Sequence, residues 1–241
     1  MKYLPLFLLL IGFLACSPSE VSDKRAIASI KALPAALPAP KALAFQNPKL
    51  KSRLLYRDSI GKDLFPTLPL QLYDSIFRHN YTYFSDGFDY PVGTPNADKY
   101  FLALRFGQEL HLGEDWNGIG GGNTDLGDPV HVISNGLVTF AKEVCCGWGK
   151  VVRIVHRLPD HPEYDYVESV YAHLQNIQVK TGDLVRRGDK IGSIGTANGR
   201  YLAHLHLELR NFINMSLGPG YSKDHYGYLD PSSFIAKHRP R

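Results

Sequence analysis

The part of the sequence with the clearest chemical potential is a short alternating stretch near its C-terminal end, residues 203–209. Leucines at every second position alternate there with His204, His206 and Glu208. Side chains two residues apart on a strand lie on one face, roughly 7 Å apart, so the pattern predicts an apolar face and a face with two imidazoles and a carboxylate. The imidazoles can be two metal ligands, or one ligand and one proton carrier. The alternative is a half-buried strand whose polar face is wet, but two histidines favour a metal site.

A second pair of potential ligands, His111 and Asp115, lies earlier in the chain. On a helix this four-residue spacing would place both on one face, but Gly113 and the glycines that follow argue against a helix. A loop or bulged strand can also direct both side chains to one point, and the alternative is an exposed loop with unrelated polar residues. The sequence contains no His-Glu-x-x-His motif, which excludes the helical arrangement of many zinc proteases.

His173 is a third candidate, in a predicted strand where alternation places it on the same face as Tyr171. His131 and His156 also lie in predicted strands, but no second chemical group accompanies them at a matching spacing. We therefore interpret those two histidines as structural.

The elements that must position these residues are short strands. Between residues 129 and 209, apolar alternating segments are separated by glycine- and proline-rich turns, and almost no helical period is present. Asn135-Gly136 is typical of a hairpin turn. The sequence therefore predicts a mainly β fold, an antiparallel sandwich or partly open barrel, after a mostly irregular N-terminal extension.

Composition limits the alternatives. The 241 residues, 44% hydrophobic and 21% charged, suit a globular protein of one or two domains, and a net charge of +4 is too small to argue for nucleic acid binding. Cys145 and Cys146 are adjacent, and the Cα separation of about 3.8 Å across a trans peptide is below the usual disulfide range. We therefore expect two thiols at a strand end rather than a strained vicinal disulfide.

Taken together and in order, three motifs resemble the lysostaphin/LytM-type zinc metallopeptidases, which are bacterial cell-wall endopeptidases. The motifs are His111-x-x-x-Asp115, Tyr171-Ala172-His173-Leu174 and His204-Leu205-His206-Leu207-Glu208. A glycine-hinged run at residues 182–195 also matches, and the resemblance extends over roughly residues 86–212.

The resemblance implies a lysostaphin-like fold, one zinc ion and a role for each motif residue. His111, Asp115 and His206 would hold zinc, and His173 and His204 would be the catalytic histidines. One departure is an insertion at residues 116–125, where the family runs directly into its next strand; we expect it to reshape the groove.

The implied function is hydrolysis of peptide bonds in peptidoglycan, in stem peptides or crossbridges. Three ligands of N and O type leave a fourth position for water, whose pKa zinc can lower to about 7. One of His173 and His204 would take the proton and the other would stabilise the oxyanion, in an order the sequence leaves open. Glu208 would orient an imidazole or lie in solvent, and Tyr171 would contact substrate or pack. The alternative is a non-catalytic cell-wall-binding module, or an activator of another peptidoglycan hydrolase.

The N-terminus resembles a bacterial lipoprotein signal, residues 1–15, followed by Cys16 as the lipidated residue. Phe13 replaces the usual leucine, and the alternative is an ordinary cleaved signal that leaves a free thiol. Lipid on Cys16 would anchor the protein in a membrane. Ser17 follows the cysteine, which by the same resemblance favours the outer membrane, facing the periplasm.

The predicted organisation continues with a Pro/Ala-rich stalk at residues 16–45 and an extension of unknown role at 46–85. The extension could cover the groove as a self-inhibitory arm. Residues 86–235 would form the metallopeptidase domain.

Overall fold

The structure is a computed structural model that describes residues 68–240. Its helices are α1 (Leu70–His79) and α2 (Pro231–Lys237). Its strands are β1 (Tyr100–Leu104), β2 (Glu114–Gly118), β3 (Pro129–His131), β4 (Gly136–Val144), β5 (Gly149–Arg157), β6 (Tyr166–Leu174), β7 (Asn176–Ile177), β8 (Leu184–Val185), β9 (Lys190–Ser193), β10 (Leu205–Arg210) and β11 (Tyr228–Leu229). The predicted signal peptide, Cys16, the stalk and residues 46–67 of the extension lie outside the described residues.

The strands form two antiparallel sheets. The larger sheet has the order β1-β2-β10-β6-β5-β4-β8, with β11 paired to the end of β10, and the smaller sheet has the order β3-β9-β7. One apolar core contains residues of both sheets, such as Val130 and Ile191 from the smaller and Ile154 and Leu207 from the larger. The prediction of a mainly antiparallel β fold is confirmed, and the described strands do not close into a barrel.

Strand β10 has the predicted alternation. Leu205, Leu207 and Leu209 are fully buried in the core between the sheets. Each fully buried leucine contributes about 1.5–3 kcal/mol, which fixes the register because a slip of one residue would turn all three away from the core. The polar residues of β10 therefore lie on the opposite, outer face of the larger sheet.

Helix α1 covers one end of this outer face. Tyr73, Ile76 and Phe77, spaced three and four residues apart, form its buried stripe and pack against Leu137 of β4 and Tyr166 of β6. The described part of the extension is therefore a packing element of the sheet. No helix within residues 68–240 is long and apolar enough to cross a membrane.

The hairpin predicted at Asn135-Gly136 is wrong. The strands on either side belong to different sheets, since β3 pairs with β9 whereas β4 pairs with β5 and β8. The Asn135 side chain instead links two other segments. Its amide N–H donates to the carbonyl of Phe84 (2.9 Å), and its oxygen accepts from the backbone N–H of Arg187 (2.8 Å). A Cβ on Gly136 would lie 2.6 Å from the Val155 carbonyl oxygen, so this glycine serves a close strand contact.

The expectation of two free thiols is also wrong, because Cys145 and Cys146 form a vicinal disulfide. They lie in the turn between β4 and β5, where Cys146 and Gly147 have φ values of 66° and 98°. This left-handed turn differs from the extended strand end that the thiol prediction assumed, and it brings the two sulfur atoms together.

Candidate metal centre and cleft

Three residues from two predicted motifs meet on the outer face of the larger sheet. Asp115 on β2 lies directly opposite His206 on β10 in the strand register. Its Oδ1 is 2.9 Å from His206 Nδ1 and 3.4 Å from His111 Nε2, and the two ring nitrogens are 3.0 Å apart. Tetrahedral ligands at zinc distances of about 2.0–2.1 Å are roughly 3.3 Å from one another, so this donor set fits a zinc ion.

The loop that carries His111 approaches β10 closely because it contains glycine. A Cβ on Gly113 would lie 2.5 Å from the Leu207 carbonyl oxygen, so a side chain there would push His111 away from His206. On the other side, the backbone N–H of Leu112 donates to the Gly220 carbonyl (2.9 Å). Gly113, which argued against a helix in the sequence, thus allows His111 and Asp115 to converge from a loop and a strand.

Glu208 is a buried partner of the candidate ligand His206 and does not lie in solvent. Its Oε1 is 3.3 Å from His206 Nε2, the ring nitrogen that faces away from Asp115. Its other oxygen accepts hydrogen bonds from Arg210, which is fully buried and also donates to the carbonyls of Ser216 (3.0 Å) and Leu217 (2.9 Å). A carboxylate on the second nitrogen fixes the orientation of a ligating imidazole. Sequence reasoning missed Arg210, although extending the alternating pattern by two residues would have found it.

His173 reaches the same site through a bulge in β6. Lys150 pairs with Leu174 and Val152 with Tyr171, so two residues of β6 face one residue of β5. His173 itself has a φ of 62°, an uncommon conformation for a non-glycine residue. Such bulges re-aim side chains, and this one directs the imidazole to the outer face.

Because of the same bulge, the prediction that Tyr171 and His173 share one face is wrong, whereas Tyr171 takes the packing role that was one of its two predicted alternatives. Simple alternation placed Tyr171 and His173 on one face, but Tyr171 is fully buried in the inner core. Its hydroxyl accepts from the backbone N–H of Ile133 (2.9 Å) and lies 3.1 Å from Ser169 Oγ. Tyr171 therefore packs and does not line the cleft.

His204 lies beside the three candidate ligands. Its ring centroid is 4.7 Å from that of His173, and its Nε2 is 3.7 Å from Asp115 Oδ1. Its Nδ1 is 2.8 Å from the Leu202 carbonyl, and Nδ1 of His173 is 3.2 Å from the Trp148 carbonyl. Because a carbonyl only accepts, both neutral rings carry their proton on Nδ1, which leaves Nε2 as the proton acceptor.

A cleft of about 490 Å³ opens above these side chains. Three aromatic residues that sequence reasoning missed line it: the ring of Trp148 is 5.5 Å from that of His206, the ring of Tyr201 is 5.0 Å from that of His173, and the ring of Tyr221 is 5.2 Å from that of His111. No motif or spacing in the sequence related either tyrosine to the histidines. Neither helix α1 nor any residue of the insertion at 116–125 lines the cleft. That the insertion reshapes the groove stays a prediction.

Electrostatics favour a positive charge among these groups. Burial opposes charge on His206, but hydrogen bonds to Asp115 and Glu208 outweigh it and raise the pKa of His206 to about 9. Burial would raise the pKa of Asp115, yet the contacts with His206 lower it to about 2. Burial and the nearby His206 lower the pKa of His111 to about 4. The two carboxylates therefore stabilise a cation at His206 Nδ1, and a dication bound there would replace the proton.

The chain is similar to one protein family and to several known proteins. The family model described as Peptidase family M23 matches residues 114–219, a range that contains Asp115, His173, His204 and His206. The chain is similar to the lipoprotein NlpD of Yersinia enterocolitica, with 31% identity over 84 residues that cover 35% of this chain and 78% of NlpD. It is also similar to the glycyl-glycine endopeptidase ALE-1 of Staphylococcus capitis, with 32% identity over 98 residues that cover 38% of this chain.

The chain spans only 25% of the length of ALE-1. Among solved structures, it is similar to the antimicrobial peptidase lysostaphin from Staphylococcus simulans, at 25% identity and a TM-score of 0.43. That comparison covers 58% of this chain and 50% of the lysostaphin chain.

Proposed function

This chain belongs to peptidase family M23, and we propose that it is a zinc-dependent endopeptidase that hydrolyses peptide bonds in bacterial peptidoglycan. The observation that carries the proposal is the convergence of five side chains, of which four line one cleft and the fifth, His111, contacts His206 and Asp115. His111, Asp115 and His206 form a compact donor set, and His173 and His204 lie beside it. A module that only binds the cell wall does not need two further imidazoles next to the side chains that would hold a metal ion.

The donor set suits zinc. His111, Asp115 and His206 would hold one ion, and zinc, when bound, supplies the Lewis acidity that makes a water molecule nucleophilic near neutral pH. Glu208 accepts from His206 and keeps its Nδ1 aimed at Asp115 and His111.

The remaining chemistry is proton transfer by the two other histidines. His204 and His173 both present Nε2 as the acceptor, because their Nδ1 atoms donate to backbone carbonyls. One ring takes the proton of the attacking water and gives it to the leaving amine. The other ring, in the form that has taken a second proton from solvent on Nε2, donates a hydrogen bond to the oxyanion that develops on the scissile carbonyl and keeps that proton.

A peptide substrate is supported by the cleft walls. Tyr201 and Tyr221 are 43% and 50% exposed, and they flank the row of histidines. Each presents an apolar ring with a polar end, which suits contact with a peptide. ALE-1 is named a glycyl-glycine endopeptidase, and we extend endopeptidase action to this chain without assigning the bond that is cut.

We further propose that the protein acts in the cell envelope, held by lipid on Cys16 at the outer membrane and facing the periplasm. The similar protein NlpD is named a lipoprotein. The proposed stalk of residues 16–45, at about 3 Å per residue, would let residues 86–235 act as a peptidase domain up to ~90 Å from the anchor. An immobile polymer near the membrane is a substrate that such a tethered enzyme can reach.

The test is digestion of purified sacculi by the purified chain, with elemental analysis of the metal and mass spectrometry of the products. We expect about one zinc ion per chain and release of muropeptides, and loss of both after treatment with EDTA. Zinc-free protein that binds sacculi and releases nothing would instead support a non-catalytic wall-binding module or an activator.

A further inference from the structure

The insertion at residues 116–125 holds the peptide group just before His204. The side-chain amide of Asn117, on β2, donates to the Ala203 carbonyl (3.1 Å). The side-chain oxygen of Asn123, in the insertion loop, accepts from the Ala203 N–H (2.8 Å). Both polar groups of this one residue are therefore bound by asparagine side chains from the same insertion.

These contacts matter because Ala203 and His204 precede the regular pairing of β10 in the larger sheet. Strand β10 begins at Leu205, which pairs with Trp116 of β2, and its pairing with β6 begins one residue later, at His206. Before that point, His204 forms only an isolated bridge to Gly195, through a hydrogen bond of 3.3 Å. Ala203 is fully buried, so its polar groups need partners within the protein.

Hydrogen bonds within the insertion loop stabilise its conformation. Asp125 is 3% exposed, and its carboxylate accepts from the backbone N–H of Gly118 (2.9 Å). The Thr124 hydroxyl donates to the Gly121 carbonyl (2.8 Å), which closes the glycine-rich turn. Asn123, which lies between these two contacts, is thus presented to Ala203 by a turn with its own hydrogen bonds.

We propose that Asn123, assisted by Asn117, is a positioning residue that sets the location of His204 relative to the metal ligands. Asp115 and Asn117 lie on the same strand, so one short segment carries a candidate ligand and also aligns the proton-transferring histidine. For its catalytic consequence the inference rests on the proposed function. A displacement of 1 Å at a reacting group can lower a rate about a hundredfold, so a loosened Ala203 would slow the chemical step.

The test compares Asn123→Ala with Asn123→Asp, which keeps an oxygen that can accept from the Ala203 N–H. Asn96→Ala is the matched control, because this exposed asparagine accepts from Arg239 and does not line the cleft. We expect Asn123→Ala to lower kcat about tenfold with zinc content and KM unchanged, and Asn123→Asp to restore most of it. In a His204→Ala background, Asn123→Ala should have no further effect on kcat.

A second measurement does not depend on activity. Hydrogen exchange of the Ala203 amide should be at least tenfold faster in Asn123→Ala than in the wild type, and unchanged in Asn96→Ala. Unchanged exchange in Asn123→Ala, or an equal loss of kcat with and without His204, would overturn the inference. If the wild type released no muropeptides, the proposed function would fail, whereas the exchange result would still decide whether Asn123 holds this segment.

Discussion

Two buried histidines on opposite faces of the larger sheet have opposite charge preferences. His206, 4% exposed on the outer face, contacts two carboxylates, and they raise its pKa to about 9. His156 is fully buried on the inner face, where burial lowers its pKa to about 4. Its Nδ1 is 2.9 Å from the Asn135 carbonyl and its Nε2 is 2.7 Å from the Ser169 hydroxyl.

The difference shows that burial alone does not distinguish a candidate metal-binding histidine from a structural one. A neutral His156 is fully satisfied, because it donates from Nδ1 to a carbonyl and accepts at Nε2 from a hydroxyl. His206 instead has acceptors on both sides and a second imidazole 3.0 Å away, an arrangement that favours a cation. The charges of the neighbours, and the cleft above them, separate the two sites.

The largest expected effect comes from replacing His206 and comparing the result with replacement of His156. We expect His206→Ala to abolish zinc binding, because it removes one of three ligands; the loss should exceed the 10–100-fold typical of an outer partner. His156→Gln should retain a full equivalent of zinc. Isothermal titration of both variants with zinc checks the contrast, and normal zinc binding by His206→Ala would show that the donor set is wrongly assigned.

The next effect separates the two histidines of β10. His204→Ala should keep the metal and lower kcat by about 10²–10⁴, the usual contribution of a positioned proton carrier. Metal analysis and muropeptide release on the same sample measure both quantities. A metal-free His204→Ala protein would mean that the roles of His204 and His206 are reversed.

The third effect concerns pH and the structural histidine. Well above pH 6.5 His156 is neutral in both the folded and unfolded states and does not affect their balance. As the pH falls from 6.5 to 4, the unfolded state gains a proton that the folded state excludes, so the free energy of unfolding should fall by about 3 kcal/mol. Urea unfolding of chelated protein at pH 7 and pH 4 measures the total loss, of which His156 contributes this part.

His156→Gln provides the control for that experiment, because glutamine has no proton to gain in this range. Its loss of stability between pH 7 and pH 4 should be smaller than that of the wild type by about 3 kcal/mol. Parallel pH dependence in the two proteins would show that His156 is not excluded from protonation.

Where the strands are regular, the sequence predicted most of the contrast between the inner and outer faces of the larger sheet. The alternation of β10 predicted its apolar face, and the absence of a partner group near His156 predicted a structural role. Alternation failed at the bulge in β6, since His173 adopts a positive φ and Tyr171 lies on the other face. A bulge depends on pairing with another strand, and local sequence does not encode that pairing.

Other errors have the same origin in distant contacts. Asn135-Gly136 has the composition of a hairpin turn, but Gly136 is required by a close approach of the Val155 carbonyl. The insertion also contacts the segment before His204 over a long distance in sequence, because Asn123 and its hydrogen-bonded partner Ala203 are 80 residues apart. Tyr201 and Tyr221 come from separate loops that only the folded chain brings to the histidines.

The smallest expected effect tests the carboxylate that distinguishes His206 from His156. Glu208→Gln keeps the shape of the side chain but removes the charge between His206 and Arg210. We expect zinc affinity to fall 10–100-fold, because the ligating imidazole loses the acceptor that orients it and raises its basicity. Competition against a chelator of known affinity measures the change.

Ser169→Ala, which removes the hydroxyl from the neutral His156 instead, should leave zinc affinity within twofold of the wild type, since that contact involves no ligand. Equal losses in the two variants would mean that general destabilisation lowers zinc affinity, and the carboxylate would then have no special role at the metal centre.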